Sequence, residues 1–237
     1  MDIKAFCATH GIDLGKAAVS LQGGSFGLIE LNTSPIEFLL LAEDDFERGG
    51  LSALVNATTN AKRAIVSQMD QILISFGIDS FRLPIPEKVE KLRAMGLLAP
   101  GVLRKVVKVL NVLEHEYLAP SLSQAEEAVD TASLFVMSAR ALFIPFEDEL
   151  QFSLYEGVGS MSPDQYILLG LNKAEGLVFY PVYAYEVASP TDLRLGECKI
   201  SSGHPLFDSM IKLSAALMLR YKVDQAIKSF EKTYTAL

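Results

Sequence analysis

The stretch LFVMSARALFIPFEDELQFSL, residues 134–154, decides the fold class because two kinds of hydrophobic periodicity meet in it. Before Pro145 the apolar side chains continue a helical pattern that begins at the capping box Ser123-Gln124-Ala125-Glu126. After Pro145 apolar and polar residues alternate with a period of two, which is typical of strands. A run of helices followed by a run of strands predicts an α+β fold.

Helical signals precede this junction over about 110 residues of chain. Ser34-Pro35 marks a helix start, because serine caps the first turn and proline fits within it. Glycines mark the helix ends at Gly49-Gly50, Gly77 and Gly96. The pattern predicts helices over residues 35–48, 51–76, 86–95, 102–117 and 123–143.

The sequence after the junction predicts a four-stranded antiparallel sheet and one closing helix, Leu206 to about Lys232. The predicted strands are residues 150–156, 165–171, 177–188 and 197–201. The first 34 residues are ambiguous, and a short strand over Ser25–Leu31 is one interpretation. The predicted organisation has three parts: an N-terminal segment (1–34), a helical bundle (35–145) and a sheet with a C-terminal helix (146–237).

Composition and charge exclude some classes of function. Half of the 237 residues are hydrophobic and the net charge is −8. Nonspecific binding to long nucleic acid depends on lysine and arginine at the phosphates, so this acidic chain is poorly suited to it, although a local RNA site stays compatible. The mean hydropathy of +0.27 predicts a full core and a subunit interface.

The sequence also predicts where the protein works. No apolar run approaches the roughly 18 residues needed to span a bilayer, so no membrane association is expected. Asp2 and Lys4 open the chain without a long apolar region behind them, so no signal peptide is expected. Cys7 and Cys198 are far apart and are expected to stay reduced, which predicts a cytoplasmic location.

Three short patterns each have a structural and a functional interpretation. Gly23–Gly27 is similar to a phosphate loop, but it precedes a predicted strand, so a turn is favoured. Glu147–Glu149 could hold Mg²⁺, but a solvated charge run is favoured. Ser201–His204 could bind an anion at a helix start, but ordinary capping is favoured. The three histidines of the chain lack metal-ligand spacing, so no metal or cofactor is expected.

The predicted helix 102–117 carries polar residues that call for an explanation. Burial of an unpaired polar group costs roughly 1–3 kcal/mol, so such groups in an apolar helix are paired or useful. Arg104, Lys108, Asn111 and His115 are spaced by four, three and four residues and form one polar stripe. Asn111 and His115 could simply bond each other, which is the structural interpretation.

The helical half resembles the HEPN domains over residues 35–143. The resemblance rests on three stretches: Ala57–Ile65, Asn111–Tyr117 and Ala125–Phe135. It implies a helical bundle that forms a homodimer, with RNA or a nucleotide as the expected partner. Many HEPN proteins are metal-independent ribonucleases, in which an arginine and a histidine meet their counterparts across the two-fold axis of the dimer.

The family motif carries over only in part. His115 matches the histidine, Asn111 matches the polar residue after the arginine, and Tyr117 matches a tyrosine that some relatives have. Leu110 stands where the motif has its arginine, and an apolar side chain cannot stabilise a phosphorane. Lys108 is the nearest replacement, although lysine lacks the bidentate fork of arginine.

Two functions follow from the resemblance. The first is a HEPN-like binding or regulatory module without catalysis, in a defence or toxin–antitoxin setting. The second is a metal-independent ribonuclease that uses His115 with Lys108 or Arg104 across the dimer. In the second, His115, Asn111 and Lys108 are the expected catalytic residues, and Arg104 and Tyr117 contact the ligand.

Overall fold

The computed structural model describes residues 3–97, 101, 105–106, 108, 119–144, 146–154, 165–172, 176–183, 193–194 and 197–237. Their elements, in chain order, are α1 (Ile3–Thr9), β1 (Ala18–Ser25), α2 (Pro35–Arg48), α3 (Leu51–Ser75), a 3₁₀ turn (Ser80–Arg82), α4 (Ile85–Ala94), α5 (Leu122–Phe143), β2 (Glu147–Leu154), β3 (Gln165–Asn172), β4 (Gly176–Tyr183), β5 (Leu193–Arg194), β6 (Cys198–Ile200), α6 (Leu206–Leu219) and α7 (Val223–Thr235). The expected α+β class is confirmed.

The chain forms two compact units. The helical unit comprises Leu28–Ser75 and Asp79–Ile144. The sheet unit comprises Met1–Gly27, Phe76–Ile78 and Pro145–Leu237. The sheet unit is therefore assembled from segments on both sides of the helical unit in the sequence.

The α2–α3 hairpin of the helical unit begins and turns where the local sequence signals predict. Ser34 Oγ accepts a hydrogen bond from the Glu37 backbone N–H at 3.3 Å, and the Ser34 N–H donates to Glu37 Oε2 at 2.6 Å. The Ser34 N–H and then the Ser34 hydroxyl, which both donate to Glu37 Oε2, hold the pKa of the Glu37 carboxyl below its ordinary value of 4.5. At the other end, Gly49 and Gly50 have φ angles of 66° and 82°, which glycine adopts without the penalty of a side chain.

The N-cap of helix α5 lies two positions earlier than the sequence suggests. Two overlapping patterns compete for the cap, and the structure uses Ser121 with Gln124 rather than Ser123 with Glu126. Helices α2, α3 and α5 pack against one another. Their contact faces are rich in alanine, which lets helices approach closely; the buried residues include Leu39, Ala42, Ala57, Ala61, Ala64, Ile65, Ala125, Ala128, Ala132, Phe135 and Ala139.

A buried hydrogen-bond network holds the extended segment around Ile29 on α3. The Ile29 N–H donates to Ser75 Oγ at 2.9 Å, and the Gln71 side-chain amide donates to the Ile29 carbonyl at 2.9 Å. Gln68, itself buried, donates to the Gln71 Oε1 atom at 3.1 Å. These residues satisfy the backbone of Ile29. The strand of the N-terminal segment is β1, which ends at Ser25, and residues 26–31 are not assigned to a strand.

Among the described residues, the sheet has six strands rather than the predicted four. The order is β1-β2-β3-β4-β5, with β6 also paired to β4, and all pairs are antiparallel. The additional strands are β1, which pairs Val19 with Phe152, and the short β5. Residues 184–188 of the predicted third strand lie outside the described residues.

The closing helix is also corrected, because the structure divides it into α6 and α7. Arg220 and Lys222 between them have φ angles of 49° and 54°, in the left-handed region that costs an ordinary residue roughly 1–2 kcal/mol. Helix α7 packs its apolar face on the sheet, where the rings of Phe230 and Phe152 lie 5.5 Å apart.

An aromatic cluster in the sheet unit joins three distant segments of the sequence. The ring centroids of Phe26 and Phe76 lie 4.7 Å apart, and those of Phe26 and Phe146 lie 5.6 Å apart. The Phe26 N–H donates to the Phe146 carbonyl at 2.7 Å.

Within the described ranges, no helix has the length and apolarity that a membrane crossing requires.

Candidate functional site

Lys108 is the predicted site residue that the structure describes. Arg104, Asn111, His115 and Tyr117 lie outside the described residues, so their predicted roles stay predictions. The positions 101, 105, 106 and 108 are helical, in agreement with the start of the predicted helix 102–117.

The ammonium group of Lys108 forms an ion pair with α5. Its Nζ donates to Glu127 Oε1 at 2.7 Å, and the two side chains are 65% and 50% exposed. Such a solvated pair contributes about 0–1 kcal/mol to stability. Glu126 and Asp130 are also exposed on this half of α5. The Lys108 cation is therefore paired with one carboxylate, and an approaching phosphate would meet its repulsion.

The stretch Ala57–Ile65, one of the three that carry the resemblance, holds a polar network between α2 and α3. Asp45 is buried, and its carboxylate accepts from Arg48 Nη1 at 2.9 Å and from Asn60 Nδ2 at 3.1 Å. Arg63 Nη1 donates to Asn60 Oδ1 at 3.4 Å. Each carboxylate oxygen of Asp45 accepts one of these bonds, so this group fastens α2 to α3.

This network is absent from the sequence-based predictions, although one signal in the sequence points to it. Asp45 follows Ala42 by three residues and Leu39 by six, which puts a carboxylate on the buried face of α2. A buried charge needs a partner, so the helical period predicts that Asp45 has one, without identifying the element that supplies it.

The glycine-rich stretch Gly23–Gly27 and the acidic run Glu147–Glu149 are joined by a hydrogen bond between β1 and β2. The Gly24 N–H donates to Asp148 Oδ1 at 2.7 Å, so a carboxylate of the chain occupies the position that a phosphate loop would give to its ligand. Gly23 and Gly24 lie at an irregularity of the β1–β2 pairing, between Gln22 and Ser25. Gly23 and Gly24 therefore belong to a strand irregularity rather than to the favoured turn, and the acidic run is half-buried on β2, where Asp148 is a hydrogen-bond acceptor.

The third short pattern is a local cap. His204 Nδ1 accepts from the Leu206 N–H at 3.2 Å, which satisfies one of the first N–H groups of α6. In the described part of the chain, no group of three or more His, Cys, Asp or Glu side chains is arranged to hold a metal ion.

An open cleft of about 560 Å³ lies in the sheet unit, beside the ends of α1 and α7. Lys4 and Lys16 line it, together with Asp13 and Tyr234. Lys4 Nζ donates to the Thr235 carbonyl at 3.2 Å, and Lys16 Nζ lies 3.5 Å from Asp13 Oδ2. Both cations already contact oxygen atoms of the chain, so we interpret the cleft as a junction between α1 and α7.

Tyr234 is the buried ionisable group at this junction. Burial, and then the neighbouring Cys7 and Asp13, raise the pKa of the Tyr234 hydroxyl far above its usual value of 10.0. Tyr234 therefore stays protonated, and Cys7 beside it is fully buried.

These contacts place the described candidates in structural roles, apart from the exposed pair Lys108–Glu127. Comparison with known proteins adds no residue to them: no protein-family model, no curated protein and no solved structure matches the chain.

Proposed function

We propose that this chain is a binding or regulatory module without catalysis, built on a HEPN-like helical bundle. The observation that supports the proposal is the ion pair between Lys108 and Glu127. Leu110 occupies the position of the motif arginine, so Lys108 is the nearest cation on the same helix, and its charge is balanced by α5.

RNA cleavage develops additional negative charge at the scissile phosphate. A ribonuclease of this kind stabilises a dianionic phosphorane with preorganised cations. Lysine offers one point charge, and here its ammonium group already donates to a carboxylate 2.7 Å away. Recruiting Lys108 would mean breaking that pair and bringing the phosphorane beside Glu127, Glu126 and Asp130 at the moment of reaction.

The partners belong to the same proposal. The resemblance supports a homodimer through the helical bundle, an RNA or nucleotide ligand, and a role in defence or in a toxin–antitoxin pair. Cys7 and Cys198, two buried thiols distant in sequence, support a reducing compartment such as the cytoplasm.

The test is a cleavage assay on structured and single-stranded RNA without metal ions. We expect the wild type and His115→Ala to leave the RNA equally intact over a wide range of protein concentration. Glu127→Gln is the matched variant, because it removes the balancing carboxylate while keeping the side-chain shape. RNA cleavage by the wild type that His115→Ala abolishes would establish the ribonuclease instead.

A further inference from the structure

The exposed face of α5 changes character halfway along the helix. Glu126, Glu127 and Asp130 form its first half. Its second half carries apolar residues beside the exposed Arg140: Leu134 is 44% exposed, Met137 47% and Ile144, just beyond the helix end, 76%. Leu134, Met137, Ala141 and Ile144 are spaced by three, four and three residues, so they form one stripe over about 15 Å of helix. We call these four residues the α5 stripe.

The α5 stripe is not the core face of the helix. The buried residues of α5 are on the opposite side and include Ala128, Ala132, Phe135 and Ala139. A helix inside a bundle needs only one such apolar face. A second one that stays in water costs solubility and typically marks an interaction surface.

Charges on the same face specify what can cover it. Asp130 and Arg140 are both exposed, and they lie about 7.5 Å to either side of residue 135 along the helix axis. If a second α5 lies antiparallel across a two-fold axis at residue 135, Asp130 of each copy comes level with the partner's Arg140. The same register sets Leu134 within about 1.5 Å, along the axis, of the level of the partner's Met137, and it brings Ile144 level with the partner's Glu126.

A competing register of the two helices has poorer electrostatic complementarity. Centring the axis on residue 139 would match the apolar residues more completely. It would, however, set Arg140 of the two copies about 3 Å apart along the axis and leave Asp130 without a counterpart. Like charges at that spacing oppose association.

We propose that the α5 stripe is the face through which two copies of this chain associate, as an antiparallel α5 pair with crossed Asp130–Arg140 ion pairs. This inference rests on the homodimer of the proposed function and adds the face and its register. The patch is small beside the roughly 800 Å² per partner of a standard interface. We therefore expect weak, reversible association, with a Kd of about 10–500 μM.

The test is sedimentation equilibrium of the full chain over a wide concentration range. The wild-type average mass should rise from one chain towards two. Asp130→Arg and Arg140→Asp should each raise the Kd about tenfold, because each replaces two crossed pairs by like charges. The double variant Asp130→Arg/Arg140→Asp should return the Kd to near the wild-type value.

Two further variants separate the face from general effects of charge. Met137→Asp should raise the Kd at least tenfold, because it puts a carboxylate in the middle of the α5 stripe. Leu40→Asp is the matched control, since Leu40 is 53% exposed on α2 and the net charge changes equally. It should leave the Kd unchanged, and circular dichroism would confirm that each variant is folded.

Each result decides the inference. A dimer that Met137→Asp and the single reversals leave intact would overturn the α5 face but keep the homodimer. A wild type that stays monomeric at every concentration would overturn both. The proposal that the module lacks catalysis is decided separately, by the cleavage assay.

Discussion

Lys88 Nζ lies 2.6 Å from Asp70 Oδ1, and both side chains are more than nine-tenths buried where α4 packs on α3. Removing one partner of a buried ion pair leaves the other charge without compensation, whereas removing both is far milder. We expect Lys88→Met to lower the free energy of unfolding by about 3–5 kcal/mol. The double variant Asp70→Leu/Lys88→Met should lose clearly less.

Urea unfolding followed by circular dichroism measures both variants of the Asp70–Lys88 pair. Arg93→Met is a suitable control, because Arg93 also forms an ion pair, with Glu90, but at the surface of α4. It should change stability by less than about 1 kcal/mol. If the single and double core variants proved equally unstable, the pair would not behave as a coupled unit.

Gly23 and Gly24 should respond very differently to alanine. A Cβ on Gly23 would lie 2.4 Å from Asp148 Oδ1 and 2.9 Å from Glu149 Cγ, and the Gly23 φ angle is 97°. A Cβ on Gly24 meets nothing within 4 Å. We expect Gly23→Ala to destabilise the protein by about 1–3 kcal/mol and Gly24→Ala by less than about 1 kcal/mol, as measured by thermal unfolding. Equal effects would contradict the placement of Asp148.

The capping box of α2 gives an acid-dependent prediction. Hydrogen bonds from the Ser34 N–H and hydroxyl lower the pKa of the Glu37 carboxyl in the folded protein. A lowered folded-state pKa stabilises the protein above the unfolded value of 4.5, and this stability is lost as the pH falls through the folded value. Ser34→Ala should cost about 0.5–2 kcal/mol at pH 7.

That cost should shrink as the pH falls towards 3, because protonated Glu37 contributes less to the cap in the wild type. Denaturant unfolding of the wild type and the Ser34→Ala variant at several pH values measures the difference. Ser52→Ala is a fair control, since Ser52 is exposed in the first turn of α3. A pH-independent cost for Ser34→Ala would argue against the Glu37 contribution.

Tyr234 gives the corresponding prediction at alkaline pH. Its folded-state pKa is raised above 10.0, chiefly by burial, so its protonated form stabilises the protein at lower pH. This contribution is lost as the pH rises above 10, where the unfolded chain releases the proton more readily. Between pH 9 and pH 11 the wild type should therefore lose more stability than Tyr234→Phe in urea unfolding. Parallel losses in the two proteins would show that Tyr234 is not the group responsible.

The helices that the sequence predicted well are those with local signals at both ends. Helix α2 runs from Pro35 to Arg48 as predicted, because Ser34-Pro35 and Gly49-Gly50 act within a few residues of the chain. The break between α6 and α7 carries no such signal. Arg220 and Lys222 adopt left-handed backbone conformations. Glycine usually occupies such positions at a helix end, and none stands here, so the sequence predicts a continuous helix.

The sheet was predicted less completely because its pairing is not local. Nothing near Val19 reveals that its partner is Phe152, on the far side of the helical unit in sequence. Polar contacts show the same limit: Asp45 signals a need for a partner, but its bonds to Asn60 come from packing α2 on α3. The prediction of a catalytic stripe around Asn111 and His115 stays a prediction.

The pairing of β1 with β2 has a consequence for how the protein is made. A ribosome releases β1 first, then every residue of the helical unit, and only afterwards the strand that β1 needs. The helical unit can therefore fold while the sheet is still unfinished. Once folded, it shortens the effective loop between β1 and β2, so closing that loop costs less entropy than it would in a disordered chain. During that interval the backbone groups of β1 lack their strand partner. They are therefore open to a chaperone or to mispairing with a neighbouring nascent chain.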